Sequence, residues 1–366
     1  MITIIAFVVI LGLLILVHEL GHFISAIKLG IDVEEFAIGF PPRLISIKRK
    51  GIVYSINLIP VGGYVKIKGE TEADPEDKRS FANQKVWKRS LVLSAGVLMN
   101  FVFAFVILSI GFFVGLPQAL EPDMEAKNIS NRQVMVVEVL PNSPAFDVGL
   151  QASDKVISID GQEFVSNEDV YNKVQTFNEE PLHIVVGRAD EILEFDIVPA
   201  VQEDGSVLMG VSMLDTGIVR YGFFTSIWKG LKYTGVMIWL VLVAFYQLIA
   251  SLVTGGGVSA DLSGPIGVAV ITGQIVKMGW SYVLHFAAIL SINLGIINIL
   301  PFPALDGGRL LFVLIEKIRR KKLNQKIEAI VHNSGFLLLI LLLIVVTYKD
   351  FTKFGGQMWE SIKNFF

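Results

Sequence analysis

The chain has 366 residues, 53% of them hydrophobic, a formal net charge of −3 and no cysteine. A mean hydropathy of +0.61 is too apolar for an ordinary water-soluble domain and points to the membrane class. The charge balance offers no footprint for a nucleic-acid partner, and the missing cysteines exclude disulfides, thiolate metal sites and thiol nucleophiles.

Residues 1–28 predict a first membrane-spanning helix. Met1 to Val17 carries no charge, no basic N-terminal stretch and no small-x-small cleavage site, so the segment reads as retained rather than as a removed signal peptide. It runs into His18-Glu19-Leu20-Gly21-His22. On a helix, residues four apart share a face, so His18 and His22 can bind one Zn²⁺. A carboxylate beside them, Glu19, suits a general base acting on an activated water. Ionisable groups are costly within an apolar span, which marks this cluster as functional.

Residues 29–90 predict a cytoplasmic-side region with β-structure over 43–69. Leu44-Ile-Ser-Ile and Val53-Tyr-Ser-Ile-Asn-Leu-Ile flank Lys50-Gly51, and Pro60-Val61-Gly62-Gly63-Tyr64 breaks the run before Val65-Lys-Ile-Lys alternates again. Such a hairpin can hold a substrate as an added strand or simply cap the helices. Residues 91–116 contain no charge and predict a second span. Residues 117–215 predict a small β-rich domain, with short β-branched runs, an Asp160-Gly161 turn and helical spacing over Asn167–Phe177. Residues 216–279 are expected to lie at or re-enter the membrane surface. Tyr233 to Ala260 is free of charge, and a six-span version with Ile266–Val276 as a return crossing stays open. Residues 280–305 predict a third span, 306–328 a basic loop, 329–348 a fourth span and 349–366 a tail.

The charges orient these segments. Residues 23–90 hold 12 Lys/Arg, and 306–333 hold 7, whereas 117–222 hold 6 against 19 Asp/Glu. The positive-inside rule then places 23–90 and 306–333 in the cytoplasm and 117–222 outside. The first and third spans therefore run in the same direction, and Asp306 arrives at the depth of His18 and His22 as a carboxylate able to complete a metal site. Fe²⁺ and Co²⁺ suit the same donors. His183 belongs to the β-rich domain, His285 to the outer end of the third span, and His332 to the cytoplasmic end of the fourth, as an interfacial residue with a supporting place beside the metal site left open.

His18-Glu19-Leu20-Gly21-His22, together with Asn298-Ile-Leu-Pro301-Phe-Pro303-Ala-Leu305-Asp306-Gly307, resembles the bacterial site-2 protease family of RseP-type intramembrane zinc metalloproteases. Val139-Leu-Pro-Asn-Ser-Pro144-Ala-Phe-Asp-Val-Gly149-Leu150, followed by Asp154-Lys-Val-Ile-Ser-Ile-Asp-Gly161, is similar to that family's PDZ domains. Gly39-Phe40, the Gly62-Gly63-Tyr64 loop and Ser263-Gly264-Pro265-Ile266-Gly267 resemble its other landmarks. The space between the second and third spans fits one PDZ domain rather than a tandem pair.

The resemblance implies a polytopic α-helical membrane protein of about four spans, with a membrane-associated β-hairpin and an inserted PDZ-like domain. It implies Zn²⁺ on His18, His22 and Asp306, Glu19 as base, and Asn298, Tyr64, Gly62 and Gly63 facing the substrate, with Asn293 a weaker candidate. Implied partners are single-pass membrane proteins such as anti-sigma factors or signal-peptide remnants, an upstream site-1 protease, and the lipid bilayer. The implied location is the bacterial cytoplasmic (inner) membrane, with the active site towards the cytoplasm and the PDZ-like domain outside. Two other classes are compatible with the residues: an inactive scaffold binding partners through its PDZ-like domain, and an ion transporter using intramembrane His and Asp.

Overall fold

The computed structural model describes residues 2–70, 77–120, 124, 128–178, 180–188, 191–202, 205–254, 264–321 and 323–363. These fall into two compact units: Met1–Leu108, Gly230–Gly273 and Phe286–Phe366 form one, and Ser109–Lys229 and Gln274–His285 form the other.

Helix α1 (Ile2–Lys28) is built from aliphatic residues and closes on a basic residue, Lys28, that suits the negative end of the helix dipole. It stops at Gly30, whose φ of +74° lets Gly30 N–H reach the Ile27 carbonyl and Ile31 N–H the Ala26 carbonyl. The chain then enters β1 (Val33–Arg49) and β2 (Ile52–Ile67). Their turn, Lys50-Gly51, has φ of +50° and +86°, the two positive values a tight hairpin loop needs. Both strands fold back on themselves midway. Residues 33–38 pair with 67–63, residues 45–49 pair with 56–52, and 35–38 also run beside 53–56. The sheet thus starts ten residues earlier than the alternation suggested. Glu34 and Glu35 obscured the pattern, yet Glu35 is held inside it by Ser55 Oγ and Arg43 Nη2, each at 2.7 Å.

Helix α2 (Val86–Val114) returns against α1. Gly21 of α1 lies on the Ala95 carbonyl and Gly96 Cα, a backbone contact that any side chain would prevent. Ala26, Ile31, Val33, Ile67, Phe81, Val92 and Leu93 form the core beneath the sheet.

The second unit continues with β3 (Leu116–Ala119), β4 (Ile129–Val139), α3 (Pro144–Asp147), β5 (Lys155–Ile159), β6 (Gln162–Glu163), α4 (Asn167–Gln175), β7 (Leu182–Arg188), β8 (Glu191–Ile197), β9 (Ala200–Val201), β10 (Val207–Leu208) and β11 (Val211–Val219). The main sheet runs β3-β11-β4-β5-β7-β8, with β6 on β5. Leu182, Ile184 and Val186 alternate into a core shared with Val134, Val136, Ile159, Val170 and Ile197. Ser143 and Ser166 cap α3 and α4 with their hydroxyls. Buried Asp154 takes two 2.7 Å hydrogen bonds from Arg188, a paired arrangement that offsets its desolvation.

The rest is helical: α5 (Phe223–Thr254), α6 (Pro265–Met278), α7 (Trp280–Ile299), α8 (Asp306–Arg319) and α9 (Gln325–Lys363). Among the described residues, five helices are long and apolar enough to cross a membrane: α1, α2, α5, α7 and α9. Helix α8 occupies the first half of the stretch expected to be a basic loop. Its buried side carries Glu316 beside Val313, with Leu310 packed against the core under the sheet, while Leu311, Leu314 and Ile318 are exposed, so a count of charges alone missed its amphipathic period. A buried ion pair ties it to α2: Arg89 Nη1 donates to Glu316 Oε2 at 2.5 Å, and Leu323 N–H donates to the other oxygen at 3.0 Å.

Helix α6 has a particular placement. Its N-terminus is capped by Asp350 of α9, which accepts from Gly264 N–H at 3.1 Å and Gly267 N–H at 2.7 Å. Its Gly273 packs against Thr3 at the start of α1. Asp350 lies about 27 Å along α9 from His332, and Thr3 about 22 Å along α1 from His18, at 1.5 Å per residue. The stretch of α6 from Pro265 to Gly273 therefore sits at the end of the bundle remote from His18.

Candidate metal centre

Helix α1 presents His18 and His22 one turn apart, both buried. Asp306 reaches them from the first turn of α8. Its Oδ2 is 2.9 Å from His18 Nε2 and 3.1 Å from His22 Nε2, and the two Nε2 atoms are 3.1 Å apart. Among the described residues this is the one group of three potential ligands close enough to share an ion. Nitrogen and oxygen donors around a tetrahedral Zn²⁺ stand about 3.3 Å from one another, given bonds of roughly 2.0–2.1 Å. The triangle therefore has the size and donor chemistry of a three-ligand zinc site with its fourth position left for water or substrate.

The turn delivering Asp306 is tightly made. Ala304 has a φ of +77°, and its N–H donates to His332 Nδ1 at 2.9 Å. Gly307 and Gly308 lie against the carbonyls of Ile299, Leu300 and Phe302, where no side chain fits. His332 thus braces the loop beside the site, the supporting place left open for it in the sequence, rather than standing as an ordinary interfacial residue. Helix α2 supplies the opposite wall. His22 Nδ1 donates to the Val92 carbonyl at 2.8 Å, and His18 Nδ1 is 3.3 Å from the Asn100 amide nitrogen.

Between them is Gly96. A Cβ there would strike His22 Nε2 and lie 2.8 Å from His18 Nε2. Gly96→Ala is therefore expected to lose most of its metal, read by mass spectrometry after dialysis against a weak chelator. Gly235→Ala, where a Cβ meets nothing within 4 Å, should behave as wild type. Metal retained in Gly96→Ala would show that the ligands do not converge at this wall.

Glu19 follows His18 on α1 and points to the sheet, where its Oε2 accepts from Val65 N–H at 3.0 Å. Val65 is paired with Phe36 in the sheet, so this N–H lies on the outer edge of the 63–67 segment. Gly62 (φ +87°) and Gly63 let β2 lie against Ile15 and Leu16 of α1. Tyr64 stacks on Phe40 with ring centroids 6.2 Å apart and hydrogen-bonds Glu35. Burial pushes the Glu35 carboxyl up, but the bonds from Ser55, Tyr64 and Arg43 outweigh it and hold it below the ordinary glutamate value. Asn298 and Asn293 are partly buried on α7, and neither side chain hydrogen-bonds His18, His22, Glu19 or Asp306. His183 pairs with Asp196 of β8, at 2.8 Å.

The profile of peptidase family M50 matches residues 6–342. A Clostridium perfringens protein is 35% identical over 338 residues, covering 92% of this chain and 95% of its own. The regulator of sigma-W protease RasP of Bacillus subtilis is 31% identical, covering 96% of this chain and 98% of its own. The zinc metalloprotease RasP of Bacillus licheniformis is 32% identical, with 96% and 99% covered. Among solved structures, the PDZ domain of the SdrC-like protein of Listeria monocytogenes is similar at 26% identity, covering 23% of this chain and 90% of that one, with a TM-score of 0.22.

Proposed function

The chain belongs to peptidase family M50, and from that premise we propose that it hydrolyses a peptide bond within or beside the membrane-spanning helix of other membrane proteins. The observation that carries the reading is the triangle of His18, His22 and Asp306 with Glu19 adjacent, set on helices of bilayer length. A zinc ion on those three residues would polarise the substrate carbonyl and acidify the attacking water. Glu19 takes the proton from that water and returns it to the leaving nitrogen. His18, His22 and Asp306 hold the reacting groups in register, and Gly96 keeps the space above the two Nε2 atoms open.

The backbone of a helical substrate is protected by its own hydrogen bonds, so it must unwind locally before a carbonyl is exposed. The outer edge of residues 63–67 is suited to receive the unwound part as an added strand, since its Val65 N–H already points at Glu19. Tyr64, Gly62 and Gly63 lie on this segment and Asn298 on α7, and we assign all four to substrate contact. The expected result is faster cleavage of a reconstituted single-pass peptide with Pro or Gly near the cut, and slower cleavage when its helix is stabilised. Equal rates would sink the unwinding step, and cleavage that persists in chelator would sink the metalloprotease reading.

Four crossings, α1, α2, α7 and α9, fit this mechanism. Helix α6 is about 21 Å long, shorter than a bilayer core, and its Pro265–Gly273 stretch stays near the Thr3 end of α1, which argues against a return crossing paired with α5. The basic stretches 23–90 and 306–333 favour an active site towards the cytoplasm, with the acidic 117–222 outside. The name of the Bacillus subtilis relative supports anti-sigma factors as one substrate class. Remnants of signal peptides and products of an upstream site-1 protease suit the same site in a bacterial cytoplasmic membrane.

A further inference from the structure

Helix α2 faces the histidine pair with two polar groups of different kinds, the Val92 carbonyl and the Asn100 side-chain amide. Both histidines turn Nε2 towards Asp306 and towards each other, so a metal ion would be bound through Nε2. A neutral imidazole that gives its Nε2 lone pair to a metal carries its proton on Nδ1, and that N–H needs an acceptor. His22 has one in the Val92 carbonyl. Among the described residues, the side chain on His18 Nδ1 is that of Asn100, which is fully buried, with its amide nitrogen at 3.3 Å and its Oδ1 without a partner. The two ends of an amide are told apart by their bonding, and a half-turn exchanges them.

We propose that Asn100 is the positioning residue of His18: its amide oxygen accepts the His18 Nδ1–H, selects the tautomer that leaves Nε2 free for metal, and fixes the plane of the ring. The inference rests on the reading of His18, His22 and Asp306 as metal ligands. Asn100 is itself well anchored. Its backbone carbonyl accepts from Ser291 Oγ at 2.8 Å, so α7, the helix leading to Asp306, also fixes the height of the amide beside His18.

The test compares zinc affinity, by competition with a chromogenic chelator, in detergent-solubilised wild type, Asn100→Leu, Asn100→Ala and Asn100→Asp. Leucine is nearly isosteric, is at home in an apolar helix, and accepts nothing. Aspartate offers a stronger acceptor in a slot that a purely structural role would prefer to fill with leucine. The expected result is a loss of about 10- to 100-fold in Leu and Ala, with Asp within a few-fold of wild type. Wild-type affinity in both Leu and Ala, or Asp falling with them, overturns the assignment. Wild-type protein that binds no zinc overturns the metal-site reading beneath it instead.

Discussion

Asp306→Ala is expected to bind zinc at least about 100-fold more weakly than wild type, and to cleave no membrane substrate. Loss of a group that merely orients a ligand costs about 10- to 100-fold in metal affinity, so loss of a ligand should cost at least the upper figure. Alanine leaves two imidazoles on one face of α1 and nothing opposite them. Asp306→Asn separates the loss of a donor from disturbance of α8: it keeps the shape at the helix start but offers a neutral amide oxygen in place of a carboxylate. Metal content of purified protein after dialysis against chelator decides the matter. Wild type should retain close to one zinc per chain. Equal zinc in wild type and Asp306→Ala would remove Asp306 from the site, and with it the parallel arrangement of α1 and α7.

Glu19→Gln should do the reverse, keeping the metal and losing the chemistry. The amide is isosteric, and its oxygen can still accept from Val65 N–H where Glu19 now does, at 3.0 Å. It cannot carry a proton from water to the leaving nitrogen. General acid–base catalysis is worth about 10²–10⁴-fold, so kcat should fall by that amount with KM little changed. A variant that also lost its metal would place Glu19 among the ligands, and a variant with wild-type kcat would move the base elsewhere.

Parts of this site are legible in the sequence. His18, Glu19 and His22 are contiguous on one helix, so local periodicity suffices to bring them together. Asp306 followed from topology alone: two spans running the same way deliver their ends to one depth. Gly62, Gly63, Tyr64 and Asn298 came from resemblance. The wall formed by α2 was not read, because Val92 contributes a backbone carbonyl and Gly96 contributes the absence of a side chain. Neither has a signature in one sequence. Asn100 did have one. It is the only amide in the uncharged stretch 91–116, and a buried amide in an apolar helix asks for a partner. In the fold, α8 was hidden by its charges and the first strand by Glu34 and Glu35. In both cases a polar residue was read as exposed when tertiary contacts had given it a place inside.

The distance in sequence between the ligands has a polymer-physics consequence. His18 and Asp306 are 288 positions apart, so a metal on both ties the chain into a loop that takes in most of its length. The entropy lost in closing a loop grows only with the logarithm of its size, and the cross-link removes that entropy from the unfolded ensemble rather than from the native one. The ion would thus act as a removable staple as well as a reagent. Stripping it should loosen the union of α1 with α8, while the β-sheet unit, whose Asp154–Arg188 pair and apolar core owe nothing to the ion, keeps its own fold.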